Sequence, residues 1–206
     1  MEKINYKLAN KIKKYKRSHK RPLLIVISCI NGVGKTTLAF HLSNILEIKQ
    51  RVSLGAIVKT LIAMEPKNKN FTKMNNYFSP LGEKEIQKQS LIISKVTNSL
   101  IRKYDKGGVS CIIEGVQLLT RYLDRRVMHF HIIVTDFKKY KKQLKNSDTR
   151  NPRNVSDQKF INLLKVNEIL KKEMDFPTVY LLNNSESVNA IINKVLKDII
   201  INLNLK

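Results

Sequence analysis

Apolar positions along the chain recur at two spacings. Leu23 to Ile27 is an unbroken apolar run, Val109 to Ile113 is β-branched, Val127 to Thr135 is mainly apolar, and Val52-Ser53-Leu54 and Pro177 to Leu182 are shorter. Runs of this length and type predict buried strands. Between them the period lengthens. Ile4, Leu8, Ile12 and Tyr15 predict a helix over residues 3–20, stopped by Pro22. Further helices are predicted over Leu38–Leu46, Ala56–Met64 and residues 82–104, the last broken by Gly107 and Gly108. Ser156 caps another, which buries Phe160, Leu163, Leu164, Leu170 and Met174, and a last helix runs from Glu186 to Leu203. Two stretches, Glu65 to Pro80 and residues 135–153, follow neither period. Strands that alternate with helices predict a parallel sheet covered on both faces. The expected fold class is α/β, a three-layer α/β/α fold around a mainly parallel five-stranded sheet.

At 206 residues and 42% hydrophobic content, the chain suits one domain with a sizeable core. The expected organisation is a single domain over 1–206, with a basic helix at 1–22, a flap at about 65–80 and a lid-like basic segment at about 138–155. No apolar run is long enough to span a bilayer, and no signal-peptide pattern opens the chain, so a cytoplasmic protein without membrane partners is expected. Its two cysteines, Cys29 and Cys111, read as reduced thiols.

Chemistry enters at Ser28-Cys29-Ile30-Asn31-Gly32-Val33-Gly34-Lys35-Thr36-Thr37, between a predicted strand and a predicted helix. Successive backbone N–H groups closed by a helix N-terminus form a concave donor site for the phosphates of a nucleotide. Asn31, Gly32, Val33, Gly34, Lys35, Thr36 and Thr37 are the candidate binding residues. Lys35 supplies a positive charge, Thr36 a hydroxyl for Mg²⁺, and the glycines allow close backbone approach. The pattern GxxxxGK[ST] has Cys29 where its first glycine stands.

A second candidate is Glu114, which follows Ile112-Ile113 and would reach the same sheet edge. It is expected to orient Mg²⁺ or to accept the proton of an attacking hydroxyl. Arg121, Arg125 and Arg126 stand close by in sequence as anion ligands, and Arg150 and Arg153 end the basic segment as candidates to neutralise developing charge. His129 and His131 alternate onto one strand face, where packing or hydrogen bonding is favoured over metal ligation because no matching ligand set accompanies them.

The net charge of +23 points to a polyanionic partner, either nucleic acid or a phosphorylated metabolite, or else to a lysine-rich solvated surface set by biased composition. Phe71, Tyr77 and Phe78, interleaved with lysines, either stack on bases or anchor the flap.

Ile25 to Thr37 and Ile112-Ile113-Glu114-Gly115-Val116-Gln117-Leu118 together resemble the P-loop small-molecule kinases, most closely the 2-phosphoglycerate kinase group; uridine kinases share a shorter version of the second motif. The resemblance implies ATP-dependent transfer of a phosphoryl group to a hydroxyl, with Gly34, Lys35 and Thr36 on phosphates and Mg²⁺ and Glu114 as the acidic group. Gln117 stands in place of that family's histidine, and its aspartate after the second strand is absent from Leu54-Gly55-Ala56. Three functions follow as expectations. One is a kinase of a small anionic metabolite, another a kinase of nucleosides or nucleic-acid ends, and the third a nucleotide-regulated nucleic-acid-binding protein.

Overall fold

The computed structural model describes residues 2–18, 21–74, 78–116, 118–145, 155–174 and 179–205. Five strands, β1 (Leu24–Ser28), β2 (Gln50–Ser53), β3 (Cys111–Gly115), β4 (Met128–Ile133) and β5 (Val179–Asn183), form one parallel sheet in the order β2-β3-β1-β4-β5. The helices are α1 (Tyr6–Ser18), α2 (Lys35–Ile45), α3 (Leu54–Met64), α4 (Lys69–Met74), α5 (Glu83–Lys106), α6 (Phe137–Lys145), α7 (Asp157–Glu173) and α8 (Val188–Asn202).

Side chains alternate across the sheet, and paired residues of parallel strands point the same way. Ile25 and Ile27 therefore share a face with Ile112, Glu114, Met128 and Phe130. That face is covered by α2 together with α1 and α8, through Ala9, Ile12, Leu38, Leu42, Ile192 and Leu196. Leu24 and Val26 share the opposite face with Cys111 and Ile113, under Leu54 and Val58 of α3 and Ile93 and Ile101 of α5. Buried on both sides, β1 and β3 are apolar without interruption until their last residues. β2, an edge strand, is polar and largely exposed.

Several predicted boundaries move for local reasons. Helix α5 closes with Gly108 at φ 64° and with the N–H of Val109 on the carbonyl of Tyr104. Val109 is thereby spent on the helix end, and β3 starts at Cys111 instead. The stretch predicted as irregular contains α4, and the basic segment contains α6. Both are short, and α6 sets exposed and half-buried lysines around two buried residues, Tyr140 and Leu144.

α1 packs beside α8, and its lysines do more than face solvent. Helix α2 ends with Glu47 in the left-handed region, φ 55°, and with the N–H of Ile48 on the carbonyl of Ser43. Lys16 of α1 donates to the carbonyls of Leu46 and Glu47 at 2.7 and 2.9 Å, and Lys13 and Arg17 pair with the Glu47 carboxylate. Among the described residues, no helix is long and apolar enough to cross a membrane.

Candidate functional site

The loop between β1 and α2 lies at the C-terminal edge of the sheet, where ligands collect in open parallel α/β folds. Gly32 and Gly34 take φ 79° and 106°, a region that side-chain-bearing residues rarely enter. A Cβ on Gly34 would meet nothing within 4 Å, so backbone angle rather than space requires glycine there. α2 begins at Lys35, whose ammonium is largely buried and donates to the carbonyl of Ile30 at 3.1 Å.

Cys29 fits at the first glycine position because its side chain is small and turned inward. It is fully buried and its thiol donates to the Ile30 carbonyl at 3.0 Å. Burial pushes that thiol up to about 11 against the nearby charge of Lys35, so at neutral pH it is protonated. Cys111 is likewise buried, and burial raises it to about 12.

Glu114 is the penultimate residue of β3 and shares the α2 face. The Thr36 hydroxyl donates to its Oε1 at 3.2 Å. Thus the first turn of α2 and the end of β3 bring a hydroxyl and a carboxylate together beside the loop. Both are hard oxygen donors of the kind Mg²⁺ takes, so the residues fit that ion. Gly115, next in sequence, makes room for Leu54. A Cβ on Gly115 would come within 2.6 Å of Leu54 Cδ1. Leu54, where the resembled family places an acidic residue nearby, is thus a buried apolar contact of the strand end.

Arg150 and Arg153 lie outside the described residues, as do Gln117 and Tyr77. Of the other arginines, Arg126 pairs with Asp124 and Asp105 and links two surface segments. That pairing draws the Asp124 carboxyl down to about 2. Arg121 pairs with Glu173 of α7 at 3.0 Å and lies over the ring of Tyr122. Both are committed within the protein rather than presented to an acceptor. In the flap, Phe78 packs against the core and its carbonyl accepts from Asn162 of α7, while Phe71 packs beside the α3–α5 cluster. These contacts anchor the segment.

His129 and His131 are buried and hydrogen-bonded. The Ser28 hydroxyl lies 2.6 Å from His129 Nε2 and 2.7 Å from His131 Nδ1, and His129 Nδ1 lies 2.7 Å from Thr120 Oγ1. Three of their four ring nitrogens thus lie against hydroxyls, and the described residues contain no group of three or more side chains that could hold a metal ion. Desolvation brings both imidazoles down to about 3, so they are neutral.

Two further groups carry no signal in the local sequence pattern. Tyr140 of α6 donates its hydroxyl to the Asn31 carbonyl at 2.6 Å, fastening α6 to the phosphate loop. Asn184, just past β5, accepts from the N–H groups of Thr135 and Asp136 and returns a bond to the Asp136 carbonyl. Asp136 then caps α6 at the N–H of Lys139. Nothing in residues 135–153 alone foretells the bonds of Tyr140 and Asn184, because their partners are 48 to 109 positions away.

Neither a protein-family model nor a curated protein matches the sequence. Solved structures do. Shikimate kinase from Acinetobacter baumannii, in complex with shikimate, is 15% identical, with 93% of this chain and 99% of that one covered and a TM-score of 0.56. A gluconokinase from Sinorhizobium meliloti 1021 is 12% identical over 90% of this chain and 97% of that one, with a TM-score of 0.56. Shikimate kinase from Aquifex aeolicus vf5 is 13% identical over 89% and 100% of the two chains, with a TM-score of 0.50. The architecture, a parallel five-stranded sheet flanked by helices with the glycine loop at its C-terminal edge, is the P-loop kinase fold.

Proposed function

We propose that the chain is an ATP-dependent kinase that transfers the γ-phosphoryl group to a hydroxyl of a small metabolite. The observation that carries this reading is the Thr36 hydroxyl on the Glu114 carboxylate at 3.2 Å, beneath a loop with two glycines at positive φ. A phosphate cradle alone suits any nucleotide-binding protein. A carboxylate held against the first turn of the following helix adds the oxygen set that a phosphoryl-transfer site needs.

In this reading the backbone N–H groups of residues 31–37 hold the nucleotide phosphates, and the Lys35 ammonium leaves the Ile30 carbonyl for their oxygens. Thr36 and Glu114 would hold Mg²⁺, which when bound would offset the charge of the phosphates. Glu114 is also the carboxylate available to accept the proton of the attacking hydroxyl. Arg150 and Arg153 are assigned to the closing segment that excludes water. The transition state of phosphoryl transfer is loose, so positioning and charge supply most of the catalysis. A buried Leu54 in place of an acid is compatible with that chemistry. The net charge of +23 favours an anionic acceptor, as does the sequence resemblance to the 2-phosphoglycerate kinase group.

Incubation with γ-labelled ATP, Mg²⁺ and panels of phosphorylated metabolites, sugar acids, nucleosides and oligonucleotides tests the proposal. Label is expected in a small-molecule panel, and Lys35→Ala is expected to lower transfer at least a hundredfold. Transfer undiminished in that variant would remove Lys35 from the mechanism. Label confined to oligonucleotides would replace the metabolite reading with one of nucleic-acid ends.

A further inference from the structure

The C-terminal half of α2, the connection that follows it and the edge strand β2 bound an open groove of about 510 Å³. Phe40 and Asn44 of α2, Glu47 and Lys49 of the connection and Arg51 of β2 line it. Its volume is that of a ligand site. At about 1.5 Å of rise per residue, Phe40 and Asn44 lie roughly 7 and 14 Å along the helix from Lys35, so the groove is separate from the phosphate loop.

Two features of the lining point to a ligand. One is flat surface. Phe40 is 48% exposed, with the Arg51 guanidinium over its ring at 5.2 Å from the centroid and the His41 ring against its edge. A lone exposed phenylalanine is ordinary, but a ring joined to a guanidinium offers planar surface on which a base stacks. The other feature is charge. Among the described residues, the carboxylate lining the groove is that of Glu47, which Lys13 and Arg17 of α1 already pair. Lys49 and Arg51 are exposed and make no ion pair among the described residues. The basic surface continues beyond Glu47. From Arg17, the exposed Lys14, Lys11 and Lys7 run back along α1, which contains no acidic residue. At 3.6 residues per turn these four fall within about 120° of the helix circumference and cover roughly 15 Å of its length.

We propose that this groove and the α1 stripe form a binding site for single-stranded nucleic acid, with a base stacked on Phe40 and Arg51 and the neighbouring phosphates running past Lys49 and along Lys14, Lys11 and Lys7. The inference is independent of the kinase reading, since it uses the other end of α2. An aromatic platform beside a basic track holds a strand without reading its sequence. A free mononucleotide fills the groove but leaves the α1 stripe unmet, because one phosphate does not extend along it. An acidic peptide matches the charge and brings no planar face to the ring. In a duplex the base faces are already stacked on one another, which leaves none for Phe40.

Fluorescence anisotropy of a labelled oligothymidylate of about a dozen nucleotides tests the proposal, with the full chain, over a salt series, and with ADP and Mg²⁺ absent or saturating. The wild type is expected to bind the strand with an affinity that falls steeply as salt rises, and to keep its Kd within about twofold when ADP is present. Phe40→Leu stays apolar and removes the ring. It is expected to raise Kd about tenfold at an unchanged salt slope, whereas Phe40→Tyr is expected to bind like wild type. Lys49→Gln and Lys14→Gln are each expected to lower the slope of log Kd against log salt by about 0.7. Both slope changes read the track independently of the ring. The proposal is overturned if no strand binds at low salt, if Phe40→Leu binds as tightly as wild type, or if the two lysine variants keep the full slope. It is also overturned if ADP displaces the strand, which would put it on the phosphate loop. Competition by thymidine monophosphate or by polyglutamate as strong as by unlabelled strand would overturn it too, leaving a site for free nucleotides or for any polyanion.

Discussion

Ser28 ends β1 one residue before the phosphate loop, and its single proton decides the state of two histidines. It lies within hydrogen-bond distance of both His129 and His131, while the Thr120 hydroxyl lies against the far nitrogen of His129 and donates to Met174 Sδ. For every group to be met, the bonds must run in one sense, so both imidazoles adopt the same tautomer. Both are neutral in the fold because burial holds them near 3. The unfolded chain takes up these protons near pH 6.5, and the fold refuses them until about pH 3. Their contribution is therefore complete above pH 6.5 and is lost as pH falls from there toward 3. Replacing one of them, His129→Gln, is expected to reduce the slope of unfolding free energy against pH between about 6 and 4 by about 1.4 kcal/mol per pH unit. Urea titrations at a series of pH values measure this, and an unchanged slope would show that His129 titrates normally. The pairing was half legible in the sequence. Alternation put both histidines on one face, but Ser28 reads as loop chemistry, and Thr120 belongs to a turn that no period marks.

At the scale of elements, the sheet and the longer helices were legible because burial on one or two faces writes a period into the chain. The short helices were not. α4 and α6 bury one and two residues and are held by contacts from distant segments. For α6 those contacts matter to the site, since Asn184 shapes its entry and Tyr140 ties it to the Asn31 carbonyl. The basic residues of the segment advertised charge in the sequence, whereas a buried tyrosine hydroxyl holds the loop. Tyr140→Phe keeps the ring against Phe160 and removes that bond. A loss of about 1 kcal/mol is expected in nucleotide binding, roughly a fivefold rise in Kd for ADP, with a smaller change in melting temperature. Isothermal titration reads the first and a thermal melt the second; equal affinity in the variant would detach α6 from the loop. Glu114 was legible as the end of a β-branched run.

For the whole molecule, 39 Lys and Arg against 16 Asp and Glu set a positive field that the fold must bear. Raising salt from about 20 to about 200 mM shortens the Debye length from roughly 20 to about 7 Å, so self-repulsion is screened. The melting temperature is expected to rise by several degrees over that range, and sulfate is expected to act beyond its ionic strength. A flat response in a salt series of melts would mean that the surface charges are already balanced locally. Part of that balance is visible at α1, where Lys13, Lys16 and Arg17 sit on the last carbonyls of α2 and on Glu47. The opposite end of α2 is the proposed phosphate site. An α-helix carries partial positive charge at its first turn and partial negative charge at its last, so each end of α2 faces its complement. Anything that steadies α2 from one end is thermodynamically linked to what binds at the other, and linkage is reciprocal. Whatever factor α1 adds to phosphate affinity, a bound nucleotide returns to the docking of α1, which makes this basic helix a second, intramolecular ligand of the nucleotide-binding element.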